Sequence, residues 1–132
     1  MSKEFVRRWF SRLPEVEKDL PLVIIGGVAY TPRMIYEEVM RGTPLGEKLQ
    51  GMLEAGRLGT TLSDLYRLAK LRLRELLKRY PPDKPIVGVI AGEGEYVLTA
   101  GELLRHVEEE TSIGRAWIEN EILHMKRLLM IR

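Results

Sequence analysis

Arg67, Lys70, Arg74 and Lys78 succeed one another at intervals of three, four and four, with Arg72 and Arg79 close by. Such spacing belongs to one face of an α-helix, so these cations are expected to form a basic surface able to track phosphates. Tyr66 and Tyr80 fall in the same stretch, and Arg7, Arg8 and Arg12 surround Trp9 near the N-terminus. Aromatic rings among cations offer stacking platforms for unpaired bases. No helix-turn-helix, zinc-finger or RNA-binding sheet signature accompanies them. The chemistry implied is therefore non-catalytic contact with single-stranded or non-specific nucleic acid. The plainer account is a solvated face, or a surface that pairs with acidic residues. From Arg57 to Lys84 there are eight basic residues against three acidic ones, whereas Glu93 to Glu110 holds six glutamates against Arg105. Opposite patches can also join copies of one chain, which makes a homodimeric adaptor or assembly protein the alternative function.

Other chemistry finds little support. With no cysteine, thiol catalysis, cysteine-ligated zinc and iron–sulfur clusters are excluded. His106 and His124 stand 18 apart without an HxH or HxxxH pair, and a metal site using Glu109 or Glu110 is not called for by that spacing. Adjacent acids such as Glu37 and Glu38, or Glu108, Glu109 and Glu110, point in different directions on a helix. They read as a solvated or salt-bridging face before they read as a general acid and base. Ser2, Ser11, Ser63 and Ser112 fall in no nucleophile pattern with either histidine. The turn Ala91, Gly92, Gly94, Glu95 lacks the lysine and hydroxyl of a phosphate loop, and its glutamates repel phosphate, so it reads as a hairpin turn. No catalytic, cofactor-binding or metal-ligating residue is assigned.

With 132 residues and a formal charge of +2, the chain suits one compact domain without disulfides or structural metal. No segment approaches 18 uncharged apolar residues, and MSKEFVRRWF is amphipathic, so the expectation is a cytoplasmic protein with no membrane partner. A single Asn and a single Gln among many Arg, Glu, Leu and Ile is the compositional direction of heat-adapted proteins.

The elements that must position these residues occur twice. Thr31 to Gly46, TPRMIYEEVMRGTPLG, is answered without a gap by Thr99 to Gly114, TAGELLRHVEEETSIG, 68 residues later. Thr31, Thr43 and Gly46 recur as Thr99, Thr111 and Gly114, while the charges differ. Threonines here are helix caps, and a glycine tolerated near the third helical position implies a steric need, since it costs about 1 kcal/mol against alanine. A backbone passing close by is the plain reason and a bound substrate the sharper one. Upstream, Val6, Trp9, Phe10, Arg12, Leu13 and Pro14 match Leu73, Leu76, Leu77, Arg79, Tyr80 and Pro81 at an offset of 67. PLVIIGGVAYT is answered by PIVGVIAGEGEYVLT, each a hairpin by its β-branched runs and central glycines.

The fold class expected is α+β: a duplicated αββαα unit with halves 1–59 and 60–132, its two hairpins forming a sheet of about four antiparallel strands covered by helices. In the longest helix Leu62, Tyr66, Ala69, Leu73, Leu76 and Tyr80 define an apolar stripe that Leu65, Leu68, Leu71 and Leu77 widen, so this helix is expected in the core or with a partner on two sides. The last helix, with Ile118, Ile122, Met125 and Leu129, is either tucked against the first half or buried in a dimer.

Overall fold

A computed structural model describes residues 3–91 and 94–131. Gly92 and Glu93 of the glycine-rich turn, together with Ser2, lie outside the described residues. The chain is α+β, with helices and two antiparallel β-hairpins. Helix α1 (Lys3–Arg12) is followed by a single 3-10 turn (Glu15–Glu17), strands β1 (Val23–Ile25) and β2 (Val28–Tyr30), and helices α2 (Pro32–Arg41) and α3 (Pro44–Ala55). The order then recurs as α4 (Leu62–Leu77), β3 (Pro85–Ala91), β4 (Gly94–Thr99), α5 (Ala100–Glu109) and α6 (Ser112–Leu129).

Local chemistry accounts for the boundaries. Thr31, Thr43, Thr61, Thr99 and Thr111 each accept a hydrogen bond from the backbone N–H three residues on, satisfying a donor that the first helical turn leaves free. At Thr99 the Glu102 carboxylate returns the bond to the Thr99 N–H, which completes a capping box and holds that carboxyl below its usual value. Gly26 and Gly27, with φ of 56° and 80°, turn the first hairpin.

The strands form two separate two-stranded sheets, not the four-stranded sheet expected. The physical reason lies at the β1 edge. There the Ile24 N–H donates to the Leu58 carbonyl at 2.8 Å, so the segment after α3 occupies the place a further strand would take. Helices supply most of the core: α1 packs on α2, α2 on α3, α5 on α6, and α4 on both α5 and α6. One buried cluster runs from Val6 and Trp9 through Leu22, Ile24 and Ile35 to Leu68, Ile118 and Leu128, and thus spans both halves of the sequence. The indole Nε1 of Trp9 donates to the Leu128 carbonyl at 2.8 Å, fixing α1 to the end of α6.

The packing corrects the expected face of α4 in part and gives that of α6. The buried side of α4 is Leu68, Ala69, Arg72, Leu73 and Leu77, while Leu62 and Tyr80 of the expected stripe are exposed. The four apolar residues belong to the expected widened stripe, and because α4 is enclosed by α5, α6 and β1 together, Arg72 lies in the core instead of on the solvated basic face. The last helix is tucked against its own chain: Met125 and Leu128 are buried there and do not face a partner.

Candidate functional site

Two corners in which one helix hands over to the next organise the surface. At the first, α2 ends on Gly42 in the left-handed region and the Thr43 N–H reaches back to the Glu38 carbonyl. At the second, Glu110 adopts that left-handed conformation with φ of 51°, and the Thr111 N–H reaches the His106 carbonyl. A Cβ at Gly46 would lie 2.9 Å from the Val39 nitrogen and closer still to the Glu38 carbonyl; at Gly114 it would meet Val107 and His106 in the same way. The close backbone belongs to the preceding helix. The threonine hydroxyls also engage its side chains, Thr43 donating to Glu38 at 2.6 Å and Thr111 lying 2.8 Å from Nδ1 of His106.

Beside the second corner an open groove of about 580 Å³ runs along α4, lined in part by Ser63, Tyr66, Arg67, Lys70, Arg74 and Glu108. Three of the seven cations proposed from the sequence, Arg67, Lys70 and Arg74, are thus brought together. Two of them are already engaged. Arg74 forms a bidentate pair with Glu108 through Nε at 2.7 Å and Nη2 at 2.9 Å, and its hydrogen bonds hold the Glu108 carboxyl below the usual range. Lys70 Nζ donates to the Glu108 carbonyl at 3.1 Å and to the Glu110 carboxylate at 3.0 Å. Tyr66 is half-buried, and its hydroxyl donates to Glu119 at 3.0 Å, a bond that raises the phenol pKa. Arg67 is exposed and makes no hydrogen bond or ion pair among the described residues; it stands beside the turn of the first hairpin, 3.9 Å from where a Cβ of Gly27 would be.

The first half contains the same arrangement. Lys3 and Arg7 stand at the positions of Lys70 and Arg74, 67 residues earlier, and Met40 at that of Glu108, 68 earlier. Lys3 Nζ donates to the Met40 carbonyl at 3.0 Å, as Lys70 does to Glu108, and Arg7 Nη2 lies 3.6 Å from the Met40 sulfur. Cations that meet the last carbonyls of a helix satisfy orphan acceptors and the negative end of its dipole. Lys70 and Arg74 therefore hold α5 to α4, whatever else they do. The signal was open to sequence reasoning, since extending the repeat by three residues would have aligned Lys3 with Lys70.

The remaining sequence-proposed cations are dispersed. Arg7 is paired with Glu4 at 2.5 Å; Arg8 borders a small notch with Phe5, Trp9 and Ile131; Arg12 and Lys78 are exposed. Arg8 and Arg12 lie on α1, whereas the groove is lined from α4 and from the second corner.

Sequence reasoning missed a buried ionic cluster. Arg72, with 0% of its surface exposed, donates through Nε to Glu121 at 2.9 Å, through Nη1 to the Pro21 carbonyl at 3.0 Å, and through Nη2 to Glu17. The other Glu17 oxygen lies 2.9 Å from Nε2 of His124. Burial raises the Glu17 carboxyl, but the hydrogen bonds and charges of Arg72 and His124 outweigh it and leave the pKa lowered. The cluster ties α4 to α6 and to the 3-10 turn. A charge interrupting the run Leu68, Ala69, Arg72, Leu73 was the available sign. Among the described residues no group of three or more potential ligands is placed to hold a metal ion, and no helix is long and apolar enough to cross a membrane.

Comparison with protein families, with curated proteins and with solved structures gives no match. Function is accordingly argued from the site alone.

Proposed function

We propose that this is a non-catalytic nucleic-acid-binding protein that contacts single-stranded or non-specific nucleic acid along the α4 groove. The observation that carries the reading is the convergence of Arg67, Lys70 and Arg74 on one open groove that also includes Tyr66 and Ser63. Arg67 is the leading contact because its whole guanidinium is available. Lys70 uses two of its donors and Arg74 two of its nitrogens, so each retains donors for a phosphate oxygen. Their partly exposed ion pairs are worth about 0–1 kcal/mol each, too little to prevent a phosphate from sharing them.

The matched positions, and the repeated contacts of Lys3 and Lys70 with the ends of α2 and α5, support descent of both halves from one duplicated unit. In that reading the groove is a shared structural joint in which Glu108 and Glu110 stand where the first half has Met40 and Gly42.

Fluorescence anisotropy with a labelled single-stranded oligonucleotide tests the proposal. Three phosphate contacts give a slope of roughly −2 in log K against log salt, and Arg67→Glu removes most of the affinity. Lack of binding to any oligonucleotide at low salt overturns it. A homo-oligomeric adaptor is the second reading, favoured by the exposed Leu123 on α6 and the exposed Met130 just past its end.

A further inference from the structure

The two hairpins differ at one edge. In the first half α3 stops at Gly56, whose φ is 68°, and the chain turns back so that the Leu58 carbonyl takes the Ile24 N–H. Gly59 permits the approach, since a Cβ there would lie 2.8 Å from Ile24 Cγ2. Gly88 stands where Ile24 does: Ile24 pairs with Ala29 and Gly88 with Val97, and Val97 follows Ala29 by the same 68 residues that separate the corners. The segment that would close its edge is otherwise engaged. His124 answers Gly56, and Lys126 and Arg127 answer Leu58 and Gly59, but α6 continues through all three to Leu129. Among the described residues β3 has a single strand neighbour, β4.

A two-stranded ribbon is marginal in water by itself, and an unpaired edge is a template for another strand. We infer that this edge is completed by β3 of a second copy of the chain, the two strands running antiparallel about a twofold axis at Gly88. A four-stranded sheet is then formed between chains instead of within one. Twofold pairing sets each residue against one of the same strand, Ile86 of one copy facing Ile90 of the other. Pro85–Ala91, PIVGVIA, contains no charge, so this pairing opposes no like charges, whereas the sequence of β4 includes Glu95. The devices that guard a free edge are confined to its start, where Pro85 and the irregular register before Val87 lie.

Light scattering on the full chain tests this. The wild-type protein has twice the chain mass, and Gly88→Pro has the single-chain mass, because proline lacks the N–H that the pairing needs yet is tolerated on an edge strand. Since the chain has no cysteine, a second measurement is independent of how Gly88→Pro folds. Gly88→Cys cross-links to a dimer under mild oxidation and Glu95→Cys does not. A wild-type protein of single-chain mass at high concentration, a Gly88→Pro dimer, or equal cross-linking at positions 88 and 95 overturns the inference.

Discussion

The joint between α1 and α2 and the joint between α4 and α5 are built alike and charged differently. A lysine and an arginine four residues apart meet the end of the next helix in both, but they meet Met40 in the first, where residue 42 is glycine, and Glu108 and Glu110 in the second. The same comparison holds one turn along the leading helices. Phe5 is partly exposed at its place on α1, while the equivalent Arg72 is enclosed by Glu17, Glu121 and the Pro21 carbonyl. The lesson is that a cation recurring at the same place in both halves is first a structural member. Arg67, which is exposed and makes no hydrogen bond or ion pair among the described residues, is where a function separable from the fold is to be sought.

The largest effect is expected at Phe5 and Arg72, a matched pair that differs in burial. Arg72→Ala leaves Glu17 and Glu121 without their cation and costs about 3–5 kcal/mol, whereas Phe5→Ala costs less because that ring is only partly buried. Urea unfolding of the two variants measures the gap, and equal losses would erase the distinction. A pH series sharpens it. The folded Glu17 pKa is depressed, so its contribution is fully present above the unfolded value of about 4.3 and is lost as pH falls through the folded one. Arg72→Ala removes the chief opposing cation, and the loss of stability on acidification shrinks with it.

The next effect concerns what the halves share. Gly114→Ala and Gly46→Ala each drive a methyl into the carbonyl end of the preceding helix and cost about 3 kcal/mol. Gly51→Ala provides the opposite sign on the same helix as Gly46. It is exposed with nothing within 4 Å of the added carbon, and the change stabilises by about 1 kcal/mol. Thermal or urea midpoints that fall for positions 46 and 114 and rise for 51 are the expected pattern. A tolerated alanine at 114 would mean that the two helices can part at little cost.

These contrasts explain which features could be read from the sequence. Threonine caps at 31, 43, 99 and 111, and the hairpin turn at Gly26 and Gly27, depend on atoms within three residues of one another, so local pattern was sufficient. Gly46 and Gly114 were legible as steric because glycine is otherwise a poor choice inside a helix. Arg72 was not, since its acidic partners lie 49 and 55 residues away and helical spacing alone set it beside the exposed cations. The closure of Ile24 by Leu58 depends on how α3 ends in space, so the four-stranded sheet expected from two hairpins had no local sign against it. In the groove, Arg67, Lys70 and Arg74 were named from the sequence, but their acidic neighbours Glu108 and Glu110 come from 34 to 40 residues away.

The smallest effect separates the two joints most finely. Glu110 holds a left-handed conformation that costs a residue with a side chain about 1–2 kcal/mol, and Gly42 holds its counterpart freely. Glu110→Gly relieves that strain but gives up the pair with Lys70, worth about 0–1 kcal/mol, and adds about 0.5–1 kcal/mol of unfolded-chain entropy. Opposing terms of this size leave the stability changed by less than about 1 kcal/mol at low salt. Salt distinguishes the terms, because it screens the exposed pair and leaves backbone strain and entropy untouched. The difference between Glu110→Gly and wild type should therefore move in favour of the variant as salt rises, measured by urea unfolding at both ionic strengths. The reciprocal Gly42→Glu puts a carboxylate where the Cβ would lie 3.6 Å from Lys3 Nζ, and so rebuilds the second joint in the first half. Its stability relative to wild type should drift the other way with salt. If both variants respond to salt alike, the charges at the second joint are not what distinguishes it from the first.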